Sequence, residues 1–339
     1  MKKFIILLSC IFILFDFSFG NKSIVLKELM KPSAIYVDNE RLYVSEGTSI
    51  YIYSLKNYSL INKFGKEGEG PDEFKMKIGK IVLTNNELII NSVGKLSYYN
   101  KNGKLITSVK TGIIPPRFNF FPIKNKFVGV GMDFNKSNSH FCISLFDQEF
   151  NKQKELFKVQ QTKNGKMFVF APQIAMNSYF VYENKIYILS KNNSKINILN
   201  YKGDKLNSFK HGFKKTKFKK KEKQIFLKLL NKSIKSMKKS SFNIKDNIII
   251  PEYHPEIISL KISNKMIYIL GRKRNKKNGK LQSIIRVFNL EGEKILEKNI
   301  NLNFFDNTET VLTTFGNFIF YKLKENENEE WILSLKHLK

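Results

Sequence analysis

Four histidines, His140, His211, His254 and His337, offer the most versatile side-chain chemistry in this sequence, yet their spacing assembles no familiar site. There is no HExxH and no paired-histidine pattern, so the helical zinc motif is absent. Asp38, Asp133, Glu183 and His254 remain as candidates to hold a divalent metal through carboxylate oxygens and an imidazole nitrogen. Each also has a plainer reading. Asp38 and Glu183-Asn184 read as turn residues, and Asp133 as a strand end. His254, in Pro251-Glu252-Tyr253-His254-Pro255-Glu256, reads as a structural or pocket-lining side chain where the chain enters a strand. His337 lies near the C-terminus and reads as solvated. No catalytic residue, metal ligand or cofactor is assigned.

The loop Phe64-Gly65-Lys66-Glu67-Gly68-Glu69-Gly70-Pro71-Asp72-Glu73-Phe74 could cradle phosphate. A phosphate cradle needs a helix N-terminus directly after it, and residues 74–80 show none. The loop therefore reads as backbone engineering. Gly65, Gly68 and Gly70 permit sharp turns, Pro71 stiffens the path, Glu73 accepts backbone N–H bonds, and Phe74 plugs a gap between neighbouring sheets.

Charge is the second chemical signal. The chain has 339 residues and a formal net charge of +30, from 59 Lys+Arg against 29 Asp+Glu. Two origins compete: drift toward lysine along the whole chain, and attraction to an acidic partner. Residues 213–240 hold 12 lysines and one acid, Glu222, and residues 272–280 hold six further cations. Together these carry 17 of the +30, a concentration that uniform drift does not produce. Lys219, Lys220, Lys221, Arg272, Lys273, Arg274, Lys276 and Lys277, with Arg117 and His254 at strand entries, are the candidate anion-binding residues. Their ligand would be an acidic glycan, a lipid head group or a protein partner. Nucleic acid is not expected, because no base-stacking motif accompanies the lysines and the chain reads as exported.

Short strands must position these residues. Apolar and aromatic runs at 34–37, 41–44, 49–53 and 59–64 are separated by Asn, Asp, Gly or Ser turns, and the pattern returns. Further sets begin near residues 81, 118, 179, 257 and 311, with a glycine turn before the last strand at Gly103, Gly203 and Gly292. Four-stranded units at roughly 40–50 residue spacing predict a β-propeller. The sixth set has three strands, and residues 23–27 are expected to supply the missing one and close the ring. Within 213–240 the steps between Phe218, Phe226, Leu230, Ile234 and Met237 predict an inserted basic amphipathic helix. In a propeller this insertion and the 272–280 loop crown the same face. The helix reads as packed on the propeller with solvated lysines, as a membrane-interface contact, or as a partner contact.

The loop and the spacing resemble the NHL-type repeat, and more closely the six-bladed propeller family of exported bacterial proteins, in which an FG-x-x-G-x-GP-x-EF loop follows the first blade. Here Asp72 replaces the usual glycine. The resemblance implies an all-β fold, a six-bladed β-propeller of four-stranded blades, over residues 21–339. Residues 1–20 read as a signal peptide: Lys2-Lys3, an apolar run from Phe4 to Phe15, and Ser18-Phe19-Gly20 as the cleavage site. Leu7-Leu8-Ser9-Cys10 resembles a lipobox and leaves a lipid anchor at Cys10 as the alternative. Cleavage would leave no transmembrane span, and Cys142 alone, as a small core residue without a disulfide partner. The expectation is a monomeric periplasmic or extracellular propeller that binds or scaffolds; the alternative that the resemblance to six-bladed lactonases and lyases implies is a hydrolase or lyase with a divalent metal bound in the central channel by Asp38, Asp133, Glu183 or His254.

Overall fold

Strands covered on one face alternate in burial, whereas strands covered on both faces bury consecutive residues. The middle strands here are of the second kind. Arg41–Glu46 and Ser49–Ser54 each bury four residues in a row. The computed structural model describes residues 23–78, 80–111, 120–134, 137–190, 194–236, 247–275, 278–300, 302 and 311–339. The signal segment and Cys10 lie outside the described residues, as do Arg117, Lys276, Lys277 and Met237.

The described residues form six four-stranded antiparallel sheets. The first five are each built from four successive strands, opening with Ala34–Val37, Ile81–Leu83, Phe120–Ile123, Tyr179–Tyr182 and Ile257–Ser263. The sixth takes Val311–Gly316, Ile319–Glu325 and Trp331–His337, and completes itself with Ser23–Val25 from the other end of the chain. That strand pairs Ser23 with Ser334 and Val25 with Ile332. Trp331 reinforces the junction by donating its indole N–H to the Met30 carbonyl at 2.9 Å.

Each sheet shares a buried cluster with the next. Phe64 and Phe74 pack with Ile81 and Tyr99 between the first and second sheets. One large cluster joins the second, third and fourth through Leu96, Phe121 and Ile186. Tyr187 and Phe209 meet Ile267 between the fourth and fifth, and Tyr268 meets Phe320 between the fifth and sixth. The last cluster joins the sixth sheet to the first through Leu333, Tyr321, Val44 and Tyr53. Full burial of such side chains contributes about 1.5–3 kcal/mol each, so most of the cohesion lies between sheets. Fourth strands are the exposed ones. Leu105–Lys110 faces solvent almost throughout, Ile106 and Val109 included, and ends on Lys110.

Two turn motifs set the geometry. Gly103, Gly203 and Gly292 adopt φ of 84°, 79° and 92°, and each lies against the preceding sheet. A Cβ would fall 2.5 Å from Phe64, 2.7 Å from Leu156 and 2.4 Å from Phe209 respectively, so both conformation and space demand glycine. The second motif is an asparagine in every first hairpin: Asn39, Asn86, Asn125, Asn184, Asn264 and Asn317. At Glu183-Asn184, Asn264-Lys265 and Asn317-Phe318 both turn residues have positive φ, the two-residue turn that matches strand twist.

The opening loop follows the same logic. Lys66–Glu67 pairs in parallel with Glu73–Phe74. Glu73 accepts the Gly70 amide at 2.8 Å, and Phe74 is fully buried between the first two sheets. The insertion differs from a helix over all of 213–240. Thr216–Lys217 is extended and pairs with Tyr253–His254, and the helix runs over Lys220–Ser236. Gly212, at φ 72°, and the buried rings of Phe213 and Phe218 hold the lead-in extended against the fifth sheet. A short helix that the strand pattern did not foretell, α1 (Ala171–Asn177), starts beside Pro172.

Candidate functional site

The helix Lys220–Ser236, α2, begins with half a capping box. Glu222, at the third helical position, accepts the Lys219 backbone N–H at 2.9 Å, and its charge suits the positive end of the helix. The same carboxylate then docks the helix. Arg274 donates to both Glu222 oxygens, at 2.7 and 2.9 Å. Arg274 also reaches the carbonyls of Lys217 at 2.8 Å and Gly279 at 2.9 Å. The lysine-rich helix and the 272–280 loop are thus in contact, as Lys219 Nζ, 3.1 Å from the Gly279 carbonyl, also shows.

Below this pair lies His254, whose imidazole side chain is shut off from solvent. Its Nδ1 is 3.2 Å from Arg272 and its Nε2 is 3.1 Å from Glu222. A guanidinium only donates, so Nδ1 is the acceptor and Nε2 carries the proton given to Glu222. Burial pushes the His254 pKa down to about 4, helped by Arg272 and opposed by Glu222, so the ring is neutral at pH 7. Burial would raise Glu222, but the bonds from Arg274, the Lys219 amide and His254 prevail and hold it at about 2. An aromatic column completes the seam. Phe218 lies 3.4 Å over the His254 ring, Phe170 stacks on Phe218 at 5.9 Å, and Phe226 of α2 meets Phe170 at 5.2 Å.

These contacts separate the sequence candidates. Arg272 is buried, with burial lowering its pKa to about 10, and Arg274 is spent on Glu222. Both hold the helix down, where the sequence pattern has them facing solvent. The reason is the single acid in the lysine run, which turns inward. Lys219, Lys220 and Lys221 are exposed, and Lys273 is exposed beside Glu297 at 3.7 Å. Asp38 is a turn residue. It accepts the amides of Glu40 and Arg41 and the Tyr43 hydroxyl, and pairs with Lys101 at 3.2 Å. Asp133 pairs with Lys158 at 3.4 Å, and Glu183 sits in its hairpin turn. Among the described residues no three His, Cys, Asp or Glu side chains come together to hold a metal.

A second acid shares the seam. Glu256 is almost wholly buried, 4.0 Å from Nε2 of the buried His211, and burial raises its pKa to about 7. His211 Nδ1 accepts the Phe213 amide, and its carbonyl accepts a bond from Arg286 at 2.8 Å.

The other feature is a cavity of about 1370 Å³. The opening strands of all six sheets line it, contributing Tyr36, Val82, Phe121, Tyr182, Lys261 and Thr313 among others. Lys261 donates to the carbonyls of Phe315 at 2.7 Å and Val37 at 3.1 Å, and to Thr314 Oγ1 at 3.4 Å, so it bridges the fifth, sixth and first sheets. Burial drives its pKa down to about 7, with Asp38 opposing and Lys101 adding to the fall. Lys80 also lines the cavity, and burial brings it to about 8. Neither stands out in the sequence: Lys80 is a lone lysine before the strand Ile81–Leu83, and Lys261 a lone lysine within Ile257–Ser263. The usable signal was Lys261 inside the run Ile257 to Ile262.

No helix among the described residues is long and apolar enough to cross a membrane. No family model matches the chain. No curated protein matches it either. Solved structures do match in fold. A candidate exported protein from Bacteroides fragilis aligns over 94% of this chain and 96% of its own, with 11% identity and a TM-score of 0.50. A member of the DUF4221 family from Bacteroides vulgatus aligns over 94% and 97%, with 10% identity and a TM-score of 0.46. At 11% identity the first likeness speaks to fold alone, and nothing is drawn from the second.

Proposed function

We propose that the chain is an exported six-bladed β-propeller acting as a binding module, and that its lysine-rich face recognises an anionic ligand or surface. The propeller reading is supported by six four-stranded sheets, by clusters that join each sheet to the next and the sixth to the first, and by a cavity that all six opening strands line. Export is supported by the signal-like N-terminus and by the name of the Bacteroides fragilis protein.

The observation that carries the binding reading is the direction of Glu222. Because this acid faces Arg274 and His254, the exposed side of the seam is dominated by cations, with Glu252 pairing Lys217 at 2.8 Å. Lys214, Lys215, Lys220, Lys221, Lys228 and Lys280 are exposed, and none pairs with a carboxylate among the described residues. Fixed positive charge on a rigid support attracts oxyanions at little ordering cost, and the attraction is screened by salt. The test compares vesicles of anionic phospholipid, neutral vesicles and beads bearing an acidic glycan, each at low and high salt. Binding to one or both anionic surfaces that salt abolishes is expected. Equal binding to neutral vesicles, or binding indifferent to salt, overturns the proposal.

A further inference from the structure

The cavity presents a different chemistry from the lysine-rich face. Its wall combines rings, amides, the ammonium groups of Lys80, Lys101 and Lys261, and the Arg41 guanidinium. Tyr36, Phe180 and Tyr182 supply rings, and Asn39, Asn184 and Asn264 supply amides from the hairpin turns. Aromatic faces stack on the C–H faces of sugars, and amides pair with hydroxyls as donor and acceptor at once. Lys80 and Lys261 supply positive charge from the second and fifth sheets, and neither has a carboxylate within ion-pair distance among the described residues. The nearest acid to Lys261, Asp38, is committed to two amides, the Tyr43 hydroxyl and Lys101. The other wall carboxylates, Glu40, Glu87 and Glu183, stand at the turns where strands begin or end.

An ammonium taken from water without a counter-charge is destabilised, and an entering oxyanion relieves it. Lys261 keeps two short bonds to carbonyls, while its 3.4 Å contact to Thr314 is long enough for a ligand oxygen to replace. We propose that this cavity is a second binding site, separate from the lysine-rich face, for an acidic sugar whose oxyanion is held by Lys261, whose other oxygens reach Lys80, and whose ring lies among the aromatic side chains of the wall. Its volume accommodates a mono- or disaccharide.

The experiment is calorimetric titration of the full chain with glucuronate, galacturonate and glucose 6-phosphate, with glucose and citrate as controls. At least one acidic sugar is expected to bind, with glucose and citrate weaker by about tenfold or more. Lys80→Met and Lys261→Met should each weaken that binding by about tenfold, the loss of one charge-assisted hydrogen bond. Lys80→Met stands apart from the strand-bridging contacts and keeps the test valid if Lys261→Met fails to fold. Lys220→Glu with Lys221→Glu should leave sugar binding unchanged, which separates this site from the lysine-rich face. The proposal is overturned if none of the acidic sugars binds, if glucose or citrate binds as tightly, or if Lys80→Met retains full affinity.

Discussion

The α2 seam and the central cavity both gather cations, and they treat them in opposite ways. In the seam, Arg274 shares a two-point bond with Glu222, and Glu222 also takes the proton of His254. In the cavity, Lys261 is bonded to carbonyls and a hydroxyl, and Lys80 has no carboxylate partner among the described residues. The lesson is that density of basic residues in sequence is a poor guide to available charge. The densest run contains the acid that neutralises its inward side, and its free charge is confined to the outward lysines. The lone lysines of the inner strands are the ones held apart from carboxylates.

Breaking the seam should have the largest effect. Glu222→Gln leaves Arg274 without its counter-charge, and removing one partner of this partly exposed pair costs about 2 kcal/mol, less than at a fully buried one. Urea unfolding would measure it, and a loss under about 1 kcal/mol would mean that the seam is not an ion-pair anchor. The pH dependence has a definite sign. Glu222 sits at about 2 in the fold against an ordinary 4.5, so its stabilisation is whole above pH 4.5 and disappears as pH falls toward 2. Glu222→Gln should remove that part of the acid transition.

Glu256 sharpens the comparison from within the seam, because its shift runs the other way. Its folded value of about 7 lies above the ordinary 4.5, so its contribution is complete below pH 4.5 and is lost as pH rises through 7. Glu256→Gln should therefore be more stable than the parent at pH 8, by about 1 kcal/mol, and equal to it near pH 4. Thermal melts across that range would check it, and parallel profiles would contradict it.

In the cavity, Lys261→Met replaces an ammonium that has no carboxylate partner by an apolar side chain of similar length. The expected change at pH 7 is within about 1 kcal/mol, well below that of Glu222→Gln, because uncompensated burial offsets what the three bonds contribute. A loss as large as that of Glu222→Gln would mean that Lys261 is the main clasp between the fifth, sixth and first sheets. The smallest effect belongs to Lys273→Ala. Its pair with Glu297, at 3.7 Å on the surface, should change stability by less than about 0.5 kcal/mol.

The strands were legible because the apolar runs and turn residues repeat, and the glycine turns at Gly103, Gly203 and Gly292 mark equivalent places in three sheets. The more complete marker, the asparagine of each first hairpin, was equally visible but buried in a chain rich in asparagine. Contacts that depend on which way a side chain turns were not legible. Nothing in the sequence distinguishes Glu222 as a docking residue from an acid solvated among lysines, because its partners, Arg274 and His254, are 52 and 32 residues away. Arg272 and Arg274 share one face of their strand, and only the arrival of α2 and the Phe218 ring decides that this face is covered. The lead-in at 213–218 carried helical spacing only by courtesy of a doubled step, and pairing of Thr216 with His254 explains why it is extended.

The central claim is that the outward lysines of α2 are free to bind anions because the inward acid holds the helix in place. The most direct measurement is the affinity of the parent chain and of the triple variant Lys220→Glu, Lys221→Glu, Lys228→Glu for the anionic surface that the parent binds, alongside their melting temperatures. The account predicts that the variant loses binding while its melting temperature stays within a few degrees of the parent, about the shift expected from surface substitutions. Undiminished binding by a folded triple variant would contradict it.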